Sequence, residues 1–225
     1  MKAQKTSLDR LNNKIINCKK CPRLSLYIKE VSKNKVKRFQ KEKYWGKPLT
    51  GFGDPKAELL IIGLAPAAHG GNRTGRMFTG DSSGDWLAKA LYENGFSNKL
   101  SSKSLDDGYK LQNTYITAAL RCAPPKNKPT RDELQNCSCY LKKELSILKN
   151  IKIIVCLGKI AFDACCRLLD IKKAKFYHGN LFLHQGWIIL CSYHPSKQNT
   201  QTGRLNWDQW AYIFSKSKQI LDKKS

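Results

Sequence analysis

Residues 58–81 read ELLIIGLAPAAHGGNRTGRMFTGD. The apolar run over residues 58–63 is typical of a strand that is buried on both faces. Residues 86–91, WLAKAL, have the spacing of an amphipathic helix. The loop over residues 63–81 contains five glycines, two arginines, one histidine and one acid, although a plain connection needs only a few residues. We therefore expect this loop to hold a ligand or a reaction site.

Apolar runs and helical patterns alternate along the rest of the chain. Further strands are predicted at residues 114–120, 151–157 and 187–192, with a less regular one at 177–183. Five helices are predicted, at residues 7–17, 82–94, 130–149, 158–169 and 205–221. The second begins at Ser82 or Ser83, and the third begins with a T-x-x-E capping box at Thr130. This order predicts one α/β domain over residues 1–225, a three-layer αβα sandwich with a central, mainly parallel sheet.

Three polar loops follow predicted strands, at Gly63–Asp81, Arg121–Thr130 and His194–Arg204. In open parallel sheets, ligands bind beyond the carboxyl ends of the strands. We therefore expect the three loops to meet at one edge of the sheet and to form the functional site there.

The net charge is +24, from 41 Lys and Arg against 17 Asp and Glu, and the sequence pI is about 9.8. Residues 1–50 contain 15 of these cations and 3 of the acids. Such a chain is typical of a nucleic-acid-binding protein, whose cations neutralise phosphates. The alternative is a lysine-rich surface that serves solubility. A further alternative for residues 32–47 is that they become ordered only on DNA.

No apolar run approaches the roughly 20 residues that a membrane span requires. The first ten residues, MKAQKTSLDR, lack the apolar core of a secretory signal. We therefore expect a cytoplasmic protein with no membrane partner.

The chain has nine cysteines, and a cytosolic protein keeps its thiols reduced. Cys18 and Cys21 form a C-x-x-C pair, while Cys122, Cys137 and Cys139 follow much later. Four thiolates can bind an iron–sulfur cluster or a zinc ion, and the wide spacing favours a cluster. The remaining alternative is that these are ordinary buried cysteines without a metal.

Six motifs occur in a fixed order along the chain. They are C-x-x-C-P-R (18–23), W-G-K-P (45–48), GFGDP (51–55), the loop over residues 63–81, RCAPPKNKPT (121–130) and YHPS (193–196). Together they resemble the iron–sulfur uracil-DNA glycosylases, and most closely family five, the B type. The resemblance covers about residues 7–215. It implies a monomeric DNA-repair enzyme that acts on double-stranded DNA containing deaminated bases.

The chain departs at two positions from the neighbouring family four, which is strict for uracil. Leu64 replaces the acid that family four has after the first glycine, and Ala118 replaces its base-reading Asn. The resemblance to family five then implies a looser pocket that accepts uracil and deaminated purines such as hypoxanthine or xanthine. It also implies a [4Fe–4S] cluster held by Cys18, Cys21, Cys122 and Cys137, since Cys137 fits the family's register better than Cys139 does.

An enzyme that excises a base must flip that base out of the duplex into a close-fitting pocket. Small or rigid residues allow the backbone to line such a slot, and Gly63, Ala65 and Pro66 fit this need. Phe78 is a candidate for stacking on the base. Asp81 is the candidate for orienting or activating the attacking water. The alternative for Asp81 is a helix N-cap.

Three further side chains are candidates for the chemistry or for the pocket. The resemblance places His194 at the base O2 or at the flanking phosphate, against the alternative of a structural turn histidine. Asn127 is expected to hold the water or the base, against a plain turn Asn. His69 has two open interpretations, contact with the base or a phosphate, and capping of the loop.

Arg73 and Arg76 are expected to contact DNA, with bracing of the loop as the alternative. A second segment is expected to enter the minor groove. That segment contributes Ser196, Lys197 and Arg204. No lysine can be chosen as the Schiff-base nucleophile that a lyase requires, so we expect a monofunctional glycosylase. The alternative function is a non-catalytic iron–sulfur protein that binds nucleic acid, for example as a damage sensor.

Overall fold

The computed structural model describes residues 6–223. Residues 1–5 and 224–225, which the predicted domain includes, lie outside the described residues. Among the described residues the sheet has six strands in the order β1-β3-β2-β4-β6-β5. The strands are β1 (Phe52–Gly53), β2 (Leu59–Gly63), β3 (Thr114–Ala118), β4 (Ile153–Leu157), β5 (Leu181–His184) and β6 (Trp187–Ser192). The four central strands are parallel, and the two edge strands, β1 and β5, pair antiparallel.

Eight α-helices lie within the same residues. They are α1 (Ser7–Ile16), α2 (Pro22–Lys33), α3 (Gly71–Thr74), α4 (Ser82–Glu93), α5 (Arg131–Ile147), α6 (Lys159–Leu168), α7 (Lys197–Gln201) and α8 (Trp207–Asp222). No helix in residues 6–223 is long and apolar enough to cross a membrane.

Both faces of the sheet are covered, which confirms the predicted three-layer sandwich. On one face, alternate strand residues pack against α4 and α8, with Trp210 and Phe214 of α8 fully buried. On the other face, the intervening residues pack against α5 and α6, with Phe162 at the centre. Of the central strands, β2, β3 and β4 are buried along their whole length, and β6 is buried except at Trp187. Because both faces are covered, β2 and β4 are unbroken apolar runs in the sequence, without alternation.

A third apolar cluster joins the N-terminal helices to the rest of the molecule. Leu11 and Ile15 of α1 and Leu24 and Ile28 of α2 pack against Tyr140 of α5. Arg23, in the first turn of α2, donates two hydrogen bonds to the carboxylate of Glu133, at 2.7 and 2.8 Å. The N-terminal segment is therefore fixed to α5, an element that lies more than a hundred residues later in the chain.

Several predicted elements differ from the observed ones. The sequence pattern missed α2, because the C-x-x-C-P-R motif was assigned only to metal binding. The segment predicted as a strand at 177–183 forms one only at Leu181–His184, and the polar loop after His194 contains the short helix α7. Helix α1 is capped by Thr6. The capping box at Thr130 is confirmed, and Gly95, with a φ of +72°, follows the end of α4.

Candidate active site

A cavity of about 1460 Å³ lies at the carboxyl ends of the central strands. The loops that follow β2, β3 and β6 all line it, as the sequence predicts, and the turn between β4 and α6 adds a fourth wall. Tyr27, Arg38 and Phe39 of the N-terminal segment complete the enclosure. The fold therefore brings four strand ends and the basic N-terminal segment to one place.

Asp81 lies at the N-terminus of α4, inside this cavity. Its Oδ1 accepts a hydrogen bond of 2.9 Å from the backbone N–H of Gly84, so it is the N-cap of the helix in place of Ser82 or Ser83. A Cβ on Gly70 would come within 1.8 Å of Oδ2, the second oxygen. Burial raises the pKa of the carboxyl, against the lowering effect of the backbone hydrogen bonds of Gly84 and Ser83. Capping therefore engages one oxygen, and the other lies against a glycine.

The ring of Phe78 lies between the end of β2 and the loop after β6. A Cβ on Gly63 would come within 2.9 Å of the ring, so only glycine allows this approach. On its other side the ring is 5.9 Å from the His194 ring, at an angle of 32°. The φ of Phe78 is +50°, a conformation that costs free energy for a bulky residue and is concentrated at functional sites.

His194 is the first residue of the loop that begins after Tyr193 and enters the cavity wall. Burial lowers the pKa of its imidazole to about 4, so the ring is neutral at physiological pH. Asn199 donates a hydrogen bond of 2.8 Å to the backbone carbonyl of His194, which fixes the backbone of this loop. A neutral imidazole carries one N–H donor and one acceptor nitrogen.

Two predicted residues lie elsewhere along the wall. Asn127 is at the exposed rim and, like its neighbour Lys126, has a left-handed backbone, with φ values of +56° and +53°. His69 lines the cavity and its Nδ1 pairs with the hydroxyl of Tyr44 at 3.1 Å. Burial, with the charges of Arg38 and Arg73, lowers the pKa of His69.

Of the three residues predicted to form the base slot, only Ala65 lines the cavity, together with Leu64. Gly63 is buried behind the Phe78 ring, and Pro66 packs against Gly71 beneath the loop. Both residues are buried and support the wall from behind, and their role in a base slot stays a prediction.

Arg73 and Arg76, which are predicted to contact DNA, are both buried, and Arg73 lines the cavity. Arg76 donates to both carboxylate oxygens of Asp107 at 2.8 Å and to Ser102. Arg73 donates to the backbone carbonyls of His69 and Gly80, each at 2.8 Å, and forms an ion pair with Glu42. Both residues therefore brace the loop from inside, which was the alternative interpretation.

Ser196 and Lys197 line the mouth of the cavity at the start of α7, and Lys197 is exposed. Arg204 is also exposed, and its guanidinium stacks on the Tyr193 ring at 4.5 Å. These positions leave their charges accessible from outside the protein.

The four predicted cluster cysteines meet in the apolar cluster between α1, α2 and α5. Cys122 and Cys137 are buried, and Cys18 and Cys21 pack against the same cluster. Burial raises the pKa of Cys122, and the thiols of Cys137, Cys18 and Cys21 raise it further. In the part of the chain that the structure describes, no three His, Cys, Asp or Glu side chains surround a single metal-ion position. Four thiols are the donor set that an iron–sulfur cluster takes.

Cys139 packs against the same apolar cluster. Its thiol accepts a hydrogen bond of 3.4 Å from the ammonium group of the exposed Lys20. The parts of the wall that Tyr27, Arg38 and Phe39 provide were not predicted from the sequence. The sole signal for these was the charge of the N-terminal segment, which did not indicate where in the fold it would lie.

Comparisons with known proteins agree with this arrangement. The family model described as the uracil DNA glycosylase superfamily matches residues 50–215. A type-5 uracil-DNA glycosylase of Thermus thermophilus is 46% identical over 206 residues, which cover 90% of this chain and 93% of the relative. The type-5 enzyme of Pyrobaculum aerophilum is 44% identical, covering 91% and 89%. A type-4 uracil-DNA glycosylase of Archaeoglobus fulgidus is 26% identical, covering 84% and 82%.

Proposed function

The chain belongs to the uracil DNA glycosylase superfamily and, within it, to the type-5 family; on this premise we propose that it is a monofunctional DNA glycosylase that excises uracil and deaminated purines from double-stranded DNA. The observation that carries the proposal is the cavity in which Asp81, Phe78 and His194 meet. Exposed cations at its mouth, Lys126 and Lys197 among them, suit a polyanion.

The chemistry follows from the environment of each side chain. A base that leaves the duplex enters the cavity and stacks on Phe78. The Oδ2 of Asp81 accepts a proton from the water that attacks the sugar C1′, and the carboxylate stabilises the cationic sugar. His194, neutral because of its burial, donates a hydrogen bond to the negative charge that develops on the departing base. Asn127 at the rim holds the water or the base.

The breadth of the substrate range rests on what the cavity wall lacks. Leu64 lines the wall where an acid stands in family four, and Ala118 is a buried methyl at the end of β3. Neither side chain can form a hydrogen bond to a base edge. Selection then depends on shape and on stacking, which every flat ring provides. Uracil, hypoxanthine and xanthine are therefore the proposed substrates.

The absence of a candidate lyase nucleophile supports hydrolysis. A Schiff-base lysine acts through a desolvated amine, and among residues 6–223 no lysine is buried. The lysines that line the cavity are exposed, and Lys159 is paired with Asp163 at 2.6 Å.

We also propose that Cys18, Cys21, Cys122 and Cys137 hold a [4Fe–4S] cluster. When bound, the cluster would supply a covalent link between the N-terminal helices, the loop after β3 and α5. Purified protein should be brown, with about four irons and four sulfides per chain. The Cys137→Ala variant should lose this absorption and Cys139→Ala should keep it; the reverse result would assign the fourth ligand to Cys139.

The experiment that tests the function is base release from a labelled duplex that holds one uracil, hypoxanthine or xanthine, with the Asp81→Ala variant as control. Release of several bases, lost in the variant, is the expected result. Release that survives in Asp81→Ala would move the chemistry to His194 or Asn127. No release, together with tight and salt-sensitive DNA binding, would establish the alternative function, a non-catalytic iron–sulfur damage sensor.

A further inference from the structure

Residues 35–43, which we call the basic strap, contain five cations and one acid. The acid, Glu42, is already paired with Arg73. In the described part of the chain, none of the five cations is within ion-pair distance of a carboxylate; they are Lys35, Lys37, Arg38, Lys41 and Lys43. All but Lys35 are exposed. The strap is therefore a concentration of uncompensated positive charge.

The strap packs on the loop after β2. The ring of Phe39 contacts two guanidinium groups, with its centroid 3.9 Å from that of Arg73 and 4.5 Å from that of Arg38. Directly after the strap, the Tyr44 hydroxyl pairs with His69, and the backbone N–H of Trp45 donates to the carbonyl of Arg73 at 2.9 Å. Side-chain and backbone contacts thus fix both the middle and the end of the strap.

Arg73 connects the strap to the residue next to Asp81. Its Nη2 donates to the carbonyl of Gly80 at 2.8 Å, while its Nη1 pairs with Glu42 of the strap. A Cβ on Gly80 would come within 2.4 Å of Nη2, so glycine is required for this contact. One buried guanidinium therefore fixes the strap and the backbone of the catalytic loop relative to each other.

We propose that the basic strap is a binding site for the backbone phosphates of the strand that carries the target nucleotide, and that Arg73 holds this site in register with Asp81. Arg38 and Phe39 line the same cavity as Asp81, so a nucleotide inside it has its flanking phosphates at the strap. Arg73 is a positioning residue. That the bound strand carries the target nucleotide rests on the proposed function. That the strap binds phosphate does not.

The test measures binding without turnover. The probe is a duplex that holds one tetrahydrofuran abasic-site analogue, and the dissociation constant is measured over a range of salt concentrations. Each phosphate contact contributes about 0.9 to the slope of log K against log salt. The triple variant Lys37→Gln/Arg38→Gln/Lys41→Gln should lower this slope by between about two and three and weaken binding at low salt by at least tenfold.

The matched control removes three charges from a surface that does not line the cavity, in Lys142→Gln/Lys143→Gln/Lys149→Gln. All three lysines are exposed. The control should change the slope by less than half as much. Equal changes in both variants would mean that only the total charge matters, and would overturn the proposal.

A second variant tests the role of Arg73 in fixing the strap. Phe39→Ala keeps every charge but removes the ring that contacts the two guanidinium groups, and it should weaken binding several-fold. Unchanged binding would overturn the inference that this packing holds the site. If the strap variants behave as expected but no base is released by the unaltered protein, the phosphate site stands and the glycosylase proposal fails. Base release together with an unchanged slope in the triple variant would overturn the phosphate site and leave the glycosylase proposal standing.

Discussion

Two regions of the molecule each bury a carboxylate, one with a cationic partner and one without. Behind the sheet, Glu144 of α5 is fully buried; its Oε2 accepts hydrogen bonds from Arg121 and, at 2.6 Å, from Thr117. In the cavity, Asp81 forms no ion pair with any residue in 6–223, and burial raises its pKa. Removing one partner of a buried ion pair destabilises a fold, whereas a buried acid without a counter-charge has a perturbed pKa of the kind that is concentrated at reactive sites. The difference separates a structural acid from a reactive one.

The largest effect should follow from Asp81→Asn. The amide still accepts the hydrogen bond from Gly84, so α4 keeps its cap and the free energy of unfolding should stay within about 1 kcal/mol of the original. The excision rate should fall by about 10²–10⁴, the usual contribution of a general base. Single-turnover kinetics on uracil-containing duplex and urea unfolding give the two numbers. Glu93→Gln, at the exposed end of the same helix, is the control and should change neither.

The opposite pattern should appear in Glu144→Gln. The guanidinium of Arg121 then lies buried without a counter-charge, and the free energy of unfolding should fall by about 3–5 kcal/mol. Excision per folded molecule should be nearly unchanged, because Glu144 does not line the cavity. Urea unfolding checks the first result, with the exposed Glu30→Gln as the matched control. A Glu144→Gln protein as stable as the original would show that the two carboxylates do not differ as we infer.

Steric crowding of the Asp81 carboxylate should also lower the excision rate. In Gly70→Ala the new methyl group would overlap Oδ2 of Asp81, and a displacement of about 1 Å at a reacting group lowers a rate about a hundredfold. The control is Gly95→Ala, where a Cβ meets no neighbour but φ is +72°. The free energy of unfolding of that variant should fall by roughly 1 kcal/mol, and its excision rate should equal that of the original protein. Equal rates in Gly70→Ala and the original protein would argue against a reactive Oδ2.

The smallest expected effect is the pH dependence of the free energy of unfolding that His194 contributes. His194 lies in the same region as Asp81. Its folded-state pKa of about 4 is below the ordinary value of 6.5, so the unfolded chain takes up a proton at a higher pH than the folded protein does. The stability that this group contributes is therefore complete above pH 6.5 and is lost as the pH falls toward 4. The loss should be about 1–3 kcal/mol. Urea unfolding across this range should show a loss that is smaller in His194→Gln than in the original protein, because the lowered pKa values of His69 and His178 still contribute to it.

The sequence was sufficient for features that depend on local pattern. Continuous apolar runs predicted the covered parallel sheet, and the topology of such a sheet predicted where the three loops meet. The T-x-x-E box at Thr130 was recognisable because cap and partner are three residues apart. The N-cap of α4 could be narrowed only to Asp81, Ser82 or Ser83, because Asp and Ser cap helices equally well.

Features that depend on distant partners could not be predicted. Arg121 and Glu144 are 23 residues apart on different elements, and a glutamate within a helix of many charged residues reads as exposed. The burial of Arg73 and Arg76 could not be predicted either, because an arginine in a glycine-rich loop can bind a phosphate or a backbone carbonyl equally well. The packing of the basic strap on that loop depends on the Phe39 ring, which no periodic pattern identifies.

The ion pair between Arg23 and Glu133 has a consequence for the synthesis of the chain. The two residues are separated by 110 positions, and α1 and α2 leave the ribosome long before α5. At about 5–20 residues per second, roughly 6 to 22 seconds pass before the partner exists. During that time the apolar faces of both helices, and the thiols of Cys18 and Cys21, have no element to pack against. The earliest part of the protein to be made is thus among the last to be folded.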